Sequence, residues 1–198
     1  ARDRRDVLGP AAASVPMVLS QAVLGAVVVA LELDAESVVL HLALAMALLA
    51  VLIALFVNVS VPTPSSAVDG RFARGALHVA VATLALMLLG SYVSGREAGL
   101  AFPDWPLMGG RFVPTSATEL LPGLHMAHRV VAALVGAAVL WLALRAARTG
   151  QHATVVGLTR VGAILFGIQI LLGAGNVWTE LSAATRTAHL AVGVAIWA

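Results

Sequence analysis

The 198-residue sequence contains no cysteine. That excludes disulfides, thiolate-bound zinc and thiol chemistry. Charge is scarce as well. Asp, Glu, Lys and Arg together make 11% of the residues, against about 25% in a soluble domain. A soluble fold of this size could not cover its surface with so few charges. Soluble enzymes, disordered chains and nucleic-acid-binding modules are excluded on that ground. What is there instead is apolar: 60% of the residues, with a mean hydropathy of +0.96. The solvent of this chain is lipid. The isoelectric point near 10.4 carries little meaning, because the net charge is only +2.

Six apolar segments are predicted to be membrane helices: 17–33, 38–59, 75–94, 123–144, 155–178 and 183–198. Backbone polar groups in hydrocarbon must be satisfied within the segment, which requires helices. The ten-residue alternating stretches of a β-barrel are absent. The first segment is short for the ~20 residues of a span and the last is incomplete. The sequence lacks an initiator Met and opens on a charged stretch, Arg2 to Asp6. The chain is therefore expected to be the internal part of a longer protein.

The connections alternate in charge. Arg2, Arg4 and Arg5 precede the first span, Arg71 and Arg74 precede the third, and Arg145, Arg148 and Arg160 flank the turn before the fifth. The turn after span one carries Glu32, Asp34 and Glu36, and the turn after span five carries Glu180. The long connection 95–122 is mixed. The positive-inside rule places the Arg-rich turns in the cytoplasm and the acidic turns outside.

Sliding the chain over itself by 148 residues aligns Gln21 with Gln169, Gly25 with Gly173, Glu32 with Glu180 and His41 with His189. Over positions 21–50 there are 13 identities without a gap. Ala- and Leu-rich helices match by chance, but they do not also match Gln, Glu and His. The pattern is a duplication in parallel orientation. Residues 71–198 then form one four-helix unit, and residues 1–70 match only the second half of such a unit. Two more helices are expected before Ala1. The expected fold is an all-α membrane protein of eight helices in two pseudo-symmetric four-helix units, six of them in this chain.

Ionisable residues inside a membrane are functional candidates. Here they are histidines. His41, His128 and His189 lie at similar depth near the outer ends of their helices, and His128 and His189 are 61 residues apart on the second and fourth helices of the complete unit. Two facing imidazoles inside a helix bundle can clamp a heme iron, whereas copper or zinc would want more ligands. His128 and His189 are the expected axial pair, and His41 the equivalent ligand of the other unit. The alternative for any one of them is a packing histidine bonded to a carbonyl. His125, one turn from His128, reads equally as a support or an interface residue. His78 lies near the cytoplasmic end of its span and His152 in the cytoplasmic turn. Arg129 and Arg186 are candidate partners for the heme propionates, with snorkelling as the alternative. Gly25 and Gly173 mark a close approach of a helix or a flat macrocycle.

The stretch Gly90-Ser-Tyr-Val-Ser-Gly95 followed by Gly99-Leu-Ala-Phe-Pro-Asp-Trp-Pro-Leu-Met-Gly109 resembles the first outer loop of a heme A synthase unit. His128-Arg129 is similar to the family's HR pair, and Gln169-x-x-Leu-Gly173 with His189 to the end of a unit. The resemblance implies oxidation of the C8 methyl of heme O to a formyl, giving heme A for cytochrome c oxidase. It implies heme b in the C-terminal unit on His128 and His189, and substrate heme O in the N-terminal unit with His41. A catalytic glutamate and its HR are then expected before Ala1, and this fragment alone is not expected to be active. Implied partners are the lipid bilayer, a heme O synthase and an electron donor. Self-association is compatible with this picture, and nucleic acid is not involved. The implied location is the plasma membrane of a prokaryote, with the heme sites near its outer face. Two departures stand out: Phe102 and Met108 occupy positions where many members have cysteines, and position 125 is His rather than a carboxylate.

The loop has its own reading. Pro103, Pro106 and Pro114 stiffen it, and Phe102, Trp105 and Phe112 make it aromatic. It is expected to fold over the outer mouth as a lid, or else to anchor at the interface. The competing function is a non-catalytic bis-His diheme membrane cytochrome that only moves electrons, which would have no need of a substrate lid. A transporter would show helices broken at mid-membrane, and none are seen in the sequence.

Overall fold

A computed structural model describes residues 5–60, 69–114, 116 and 118–198. Arg2 and Arg4, the basic residues before the first span, lie outside the described residues. Among those described, the chain is all-helical: α1 (Arg5–Ala30), α2 (Ala35–Ser60), α3 (Gly70–Gly95), a 3-10 turn (Ala98–Leu100), α4 (Leu120–Arg148), α5 (Ala153–Trp178) and α6 (Ala183–Trp197). Five of these are long and apolar enough to cross a membrane. The sixth, α6, is described over 15 residues, or about 22 Å against a hydrocarbon core of ~30 Å.

The first helix differs most from expectation. It starts at Arg5 rather than residue 17 and passes through Pro10 and Pro16. The apolar stretch that counts as a span is Val7–Ala30, 24 residues, and is not short. Each proline removes one backbone donor, which normally ends a helix in water. In a membrane helix neighbouring groups re-satisfy the freed carbonyl, so proline is tolerated.

The chain divides into two compact units, 1–69 and 70–197. In the first, α1 and α2 form an antiparallel hairpin. The turn is a Schellman motif: Leu33 N–H donates to the Val28 carbonyl at 2.9 Å and Glu32 N–H to that of Val29 at 3.1 Å. Glu32 and Leu33 are both left-handed, with φ 53° and 65°; glycine would be usual at the first. Asp34 then caps α2, accepting from Ser37 N–H at 3.1 Å. That bond holds the Asp34 carboxyl below the usual carboxylate range.

The same turn recurs in the second unit, 148 residues on. Leu181 N–H donates to the Asn176 carbonyl at 2.7 Å and Glu180 N–H to that of Val177 at 3.2 Å. Glu180 has φ 50°, and Ser182 replaces Asp34 as cap, accepting from Thr185 N–H at 3.3 Å. The duplication seen in the sequence thus extends to individual turn bonds.

In this second unit each helix packs on the next, and α6 returns to α3. Two bonds mark that closure: Trp197 Nε1–H to the Ala80 carbonyl at 3.1 Å and Arg186 Nη2–H to Ser94 Oγ at 3.4 Å. The core is uneven along the bundle. Phe72, Leu142 and Ala146 fill the end at the Arg-rich turn, and Leu86, Val135, Val139 and Phe166 fill the middle. The opposite end holds His128 and His189 under the 95–119 loop. The outer faces carry Leu134, Leu158, Ile164 and Leu171, each more than 60% exposed. Such faces suit lipid.

Gly136 lets α5 approach α4: a Cβ there would sit 2.6 Å from the Phe166 ring, which is buried at 5% exposure. Gly136→Ala should cost about 1–3 kcal/mol through overpacking. Gly162→Ala, with no atom within 4 Å of its added Cβ, should be neutral or slightly stabilising. Unfolding of the detergent-solubilised protein by SDS titration makes the comparison, and equal effects would refute this account of the α4–α5 contact.

Candidate functional site

Three histidines are held in one way. A Cβ on Gly90 of α3 would lie 2.9 Å from His128 Cε1. The corresponding distances are 3.3 Å from Gly173 of α5 to His189 and 3.2 Å from Gly25 of α1 to His41. Each imidazole therefore seats edge-on against the bare backbone of the helix before its own. The absent side chain is what makes room. The macrocycle or helix expected at Gly25 and Gly173 is, in the structure, an imidazole ring.

Each of these glycines is followed seven residues later by a glutamate in the left-handed conformation. The pairs are Gly25 with Glu32, Gly90 with Glu97 and Gly173 with Glu180, with φ of 53°, 57° and 50° at the glutamates. Gly90 and Glu97 thus extend the repeat to α3, inside the second unit. The 148-residue alignment could not reveal this, because α3 and α5 lie 83 residues apart and share few other identities. The G-x6-E spacing was the available signal.

The residues are half-buried, but one ring nitrogen of each is closed off. Nδ1 of His41, His128 and His189 is in each case sealed from solvent and without a hydrogen-bond partner. An unpartnered polar atom in an apolar interior costs free energy, so packing stability does not account for them. Two glutamines serve the repeat. Gln169 Nε2–H donates to the His189 carbonyl at 2.8 Å, and Gln21 Nε2–H to the His41 carbonyl at 3.1 Å. Among the described residues no cluster of three or more His, Asp or Glu could hold a bare metal ion. The donor set suits an iron whose equatorial ligands come from a macrocycle, with one imidazole on each side.

His125 is neither lipid-facing nor at an interface. It is 5% exposed and meets two donors, Phe102 N–H at Nδ1 (3.3 Å) and Arg129 Nε–H at Nε2 (3.0 Å). A neutral ring has one acceptor nitrogen, so the two compete for it. Arg129 also donates from Nη1 to the Leu107 carbonyl at 2.7 Å and from Nη2 to those of Asp104 at 3.0 Å and Phe102 at 3.3 Å. Four of its five N–H groups are engaged. This differs from the expectation of a carboxylate clamp: Arg129 pins the outer loop to α4. Arg186 is exposed at the start of α6, touching Ser94.

The loop closes over this end. Phe102 is 3% and Met108 9% exposed, and Phe102 packs on His125 with ring centroids 5.6 Å apart. Buried apolar packing stands where the cysteines of many heme A synthases would be. Trp105 meets Trp178 of α5 edge-on at 5.7 Å. Asp104 closes a turn by accepting from Gly110 and Gly109 N–H at 2.7 and 2.8 Å, which holds its carboxyl below the usual range. His78 is exposed on α3, and His152 caps α5, accepting from Thr154 N–H at 3.3 Å.

These features define a class: a multi-pass, all-helical membrane protein whose half-buried histidines are each packed on a glycine of the preceding helix. The sequence matches the cytochrome oxidase assembly protein family (COX15-CtaA) over residues 2–198. The chain belongs to that family. It is similar to the heme A synthase of Methylobacterium sp. (strain 4-46), 37% identical over 150 residues, covering 66% of this chain and 41% of that protein. It is also similar to the heme A synthase of Rhizorhabdus wittichii, 33% identical over 139 residues, covering 66% and 40%. A third relative is the protoheme IX farnesyltransferase of Haloarcula marismortui, 36% identical over 118 residues, covering 60% and 25%. The chain thus spans from a quarter to about two fifths of the length of these relatives.

Arg129→Gln should release the loop. Amide exchange over residues 102–112 should rise roughly tenfold or more, the worth of one or two charge-assisted bonds, while α4 and α5 keep their protection. Hydrogen exchange of the detergent-solubilised protein reads both, and an unchanged loop would show that Arg129 does not pin it.

Proposed function

We propose that this chain is part of a heme A synthase, the membrane enzyme that oxidises the C8 methyl of heme O to a formyl. In this reading the unit 70–197 holds heme b between His128 and His189, and His41 serves the substrate heme of the other unit. The observation that carries it is the recurring seat: three imidazoles packed on glycine, with sealed, unpartnered Nδ1 atoms. The relatives named heme A synthase support the substrate class. The relative named protoheme IX farnesyltransferase adds a farnesylated heme as the product of a neighbouring reaction, which is the kind of substrate this site would take. A heme O synthase is therefore a candidate partner, together with an electron donor.

When bound, heme iron supplies the redox chemistry; the chain's residues supply the rest. His128 and His189 would hold the iron, each ring packed against a glycine of the preceding helix, Gly90 and Gly173. Arg186, exposed beside α6, would meet a propionate, whereas Arg129 would act through the loop it pins. That loop, tied by Arg129 and closed by Phe102 and Trp105, would keep water from the outer end of the bundle. This tether also favours the synthase over a diheme electron carrier. With the Arg-rich turns in the cytoplasm, the sites would lie near the outer face of a prokaryotic plasma membrane.

In the full-length protein, His128→Ala and His189→Ala should each remove the low-spin heme signal of the C-terminal unit, and His78→Ala should leave it intact. Reduced-minus-oxidised spectra of the purified variants decide this. An unchanged signal in His189→Ala, or a lost one in His78→Ala, would show the assignment to be wrong. Extraction of formyl-bearing heme from cells expressing the full-length protein tests the enzyme reading itself; its absence would favour the electron carrier.

A further inference from the structure

The two glutamines of the repeat do not do the same thing. Gln21 Nε2 lies 3.1 Å from the His41 carbonyl and 3.2 Å from His41 Nε2. Turning the amide over would set Oε1 against the carbonyl oxygen, acceptor against acceptor, so the NH2 must face this way. Its two N–H groups then go one to the carbonyl and one to the ring. The ring nitrogen Nε2 must accept, and the ring proton must sit on Nδ1. Gln21 thus selects the tautomer with its lone pair on Nε2, and covers that lone pair. The arrangement leaves Gln21 Oε1 and His41 Nδ1 sealed and unpartnered.

At the equivalent site Gln169 Nε2 donates to the His189 carbonyl at 2.8 Å, and the ring nitrogen is not its partner. One residue explains the difference. A Cβ on Gly193 of α6 would lie 3.2 Å from Gln169 Nε2, so a methyl there would push the amide by a few tenths of an ångström. The position 148 residues earlier is Ala45. A methyl there crowds Gln21 in the same way, and its amide, 3.1 Å from the carbonyl rather than 2.8 Å, also reaches the imidazole.

We propose that Gln21 is a displaceable cap on His41, and that the Ala45/Gly193 difference makes the His41 site the exchangeable one and the His189 site the resident one. This rests on His41 and His189 being heme ligands. To ligate, His41 must exchange the Gln21 N–H for iron, which weakens its hold by the worth of about one hydrogen bond; His189 gives up nothing. Such an asymmetry fits a substrate that must leave as product beside a cofactor that stays. Gln21 and Gln169 are positioning residues here, acting through the histidines.

The test uses the full-length protein loaded with hemin, with transfer to apomyoglobin giving the dissociation rates of the two sites. Gln21→Leu and Ala45→Gly should each slow loss from the N-terminal site about fivefold, the value of one ordinary hydrogen bond. Gly193→Ala should speed loss from the C-terminal site by a similar factor, and Gln169→Leu should not slow it. Nitrogen-15 spectra of labelled histidine in the heme-free protein give a second readout: His41 should show the Nδ1–H tautomer, and Gln21→Leu should lose that preference. A folding defect would not produce this pair of opposite rate changes. If His41→Ala abolishes N-terminal loading while Gln21→Leu and Ala45→Gly change neither rate nor tautomer, the cap is refuted and the ligand assignment stands. If His41→Ala leaves loading unchanged, both fall.

Discussion

The contact on which the rest of the site depends is an imidazole ring laid against a glycine. Helices in lipid gain little from burying apolar surface against each other, since the tails outside are equally apolar; close packing is what remains. Glycine gives that packing and, at positions 25, 90 and 173, gives it to a histidine rather than to another helix backbone. The ring is thereby held edge-on at a fixed depth. Depth follows from the turn as well: each glycine lies seven residues before a left-handed glutamate that ends its helix, so seat and turn move together. Repeating the hairpin repeats the seat.

The glutamate turns carry a cost of about 1–2 kcal/mol at each non-glycine left-handed residue. At the Arg-rich end the chain uses glycine for the same purpose: Gly150, with φ 64°, follows α4. Glycine was thus available to this fold, yet the helix ends after Gly25, Gly90 and Gly173 use glutamate. Glutamate at that point places a carboxylate at the membrane surface where the helix stops. The charge difference between the two faces is therefore built into the turn residues themselves, in the sense the positive-inside rule needs.

Most helices were legible in the sequence because lipid demands long apolar runs, and the boundaries of α2 to α5 fall within about five residues of the apolar segments. The start of α1 was not, since Pro10 and Pro16 read as stops by rules that hold in water. The duplication was legible because Gln, Glu and His are rare in such helices, so their recurrence stands out. Gly90 escaped because glycine is common and its partner His128 lies across a loop with no counterpart in the hairpins. The role of Arg129 was hidden for a different reason. Its acceptors are backbone carbonyls at 102, 104 and 107, which carry no residue signature; only a folded loop shows where they point. His78, in the first third of α3, and His152, which caps α5, lie where their sequence positions put them, away from the loop.

The unevenness of the second unit argues that its histidine end is kept for something other than stability. The Arg-rich end is packed as any core would be, with Phe72, Leu142 and Ala146 buried. The loop end instead encloses three polar rings and a guanidinium in a region where apolar residues would pack at lower cost. His125 and Arg129 have partners, chiefly in tying down the loop. His128 and His189 differ: each has a sealed Nδ1 with no partner. If packing alone had shaped this end, a leucine at either position would remove an unmet polar atom and fill the same space. Nδ1 is the nitrogen turned toward the glycine of the preceding helix, so a bound iron would take the other ring nitrogen, and its binding energy is what would offset the cost of the sealed one.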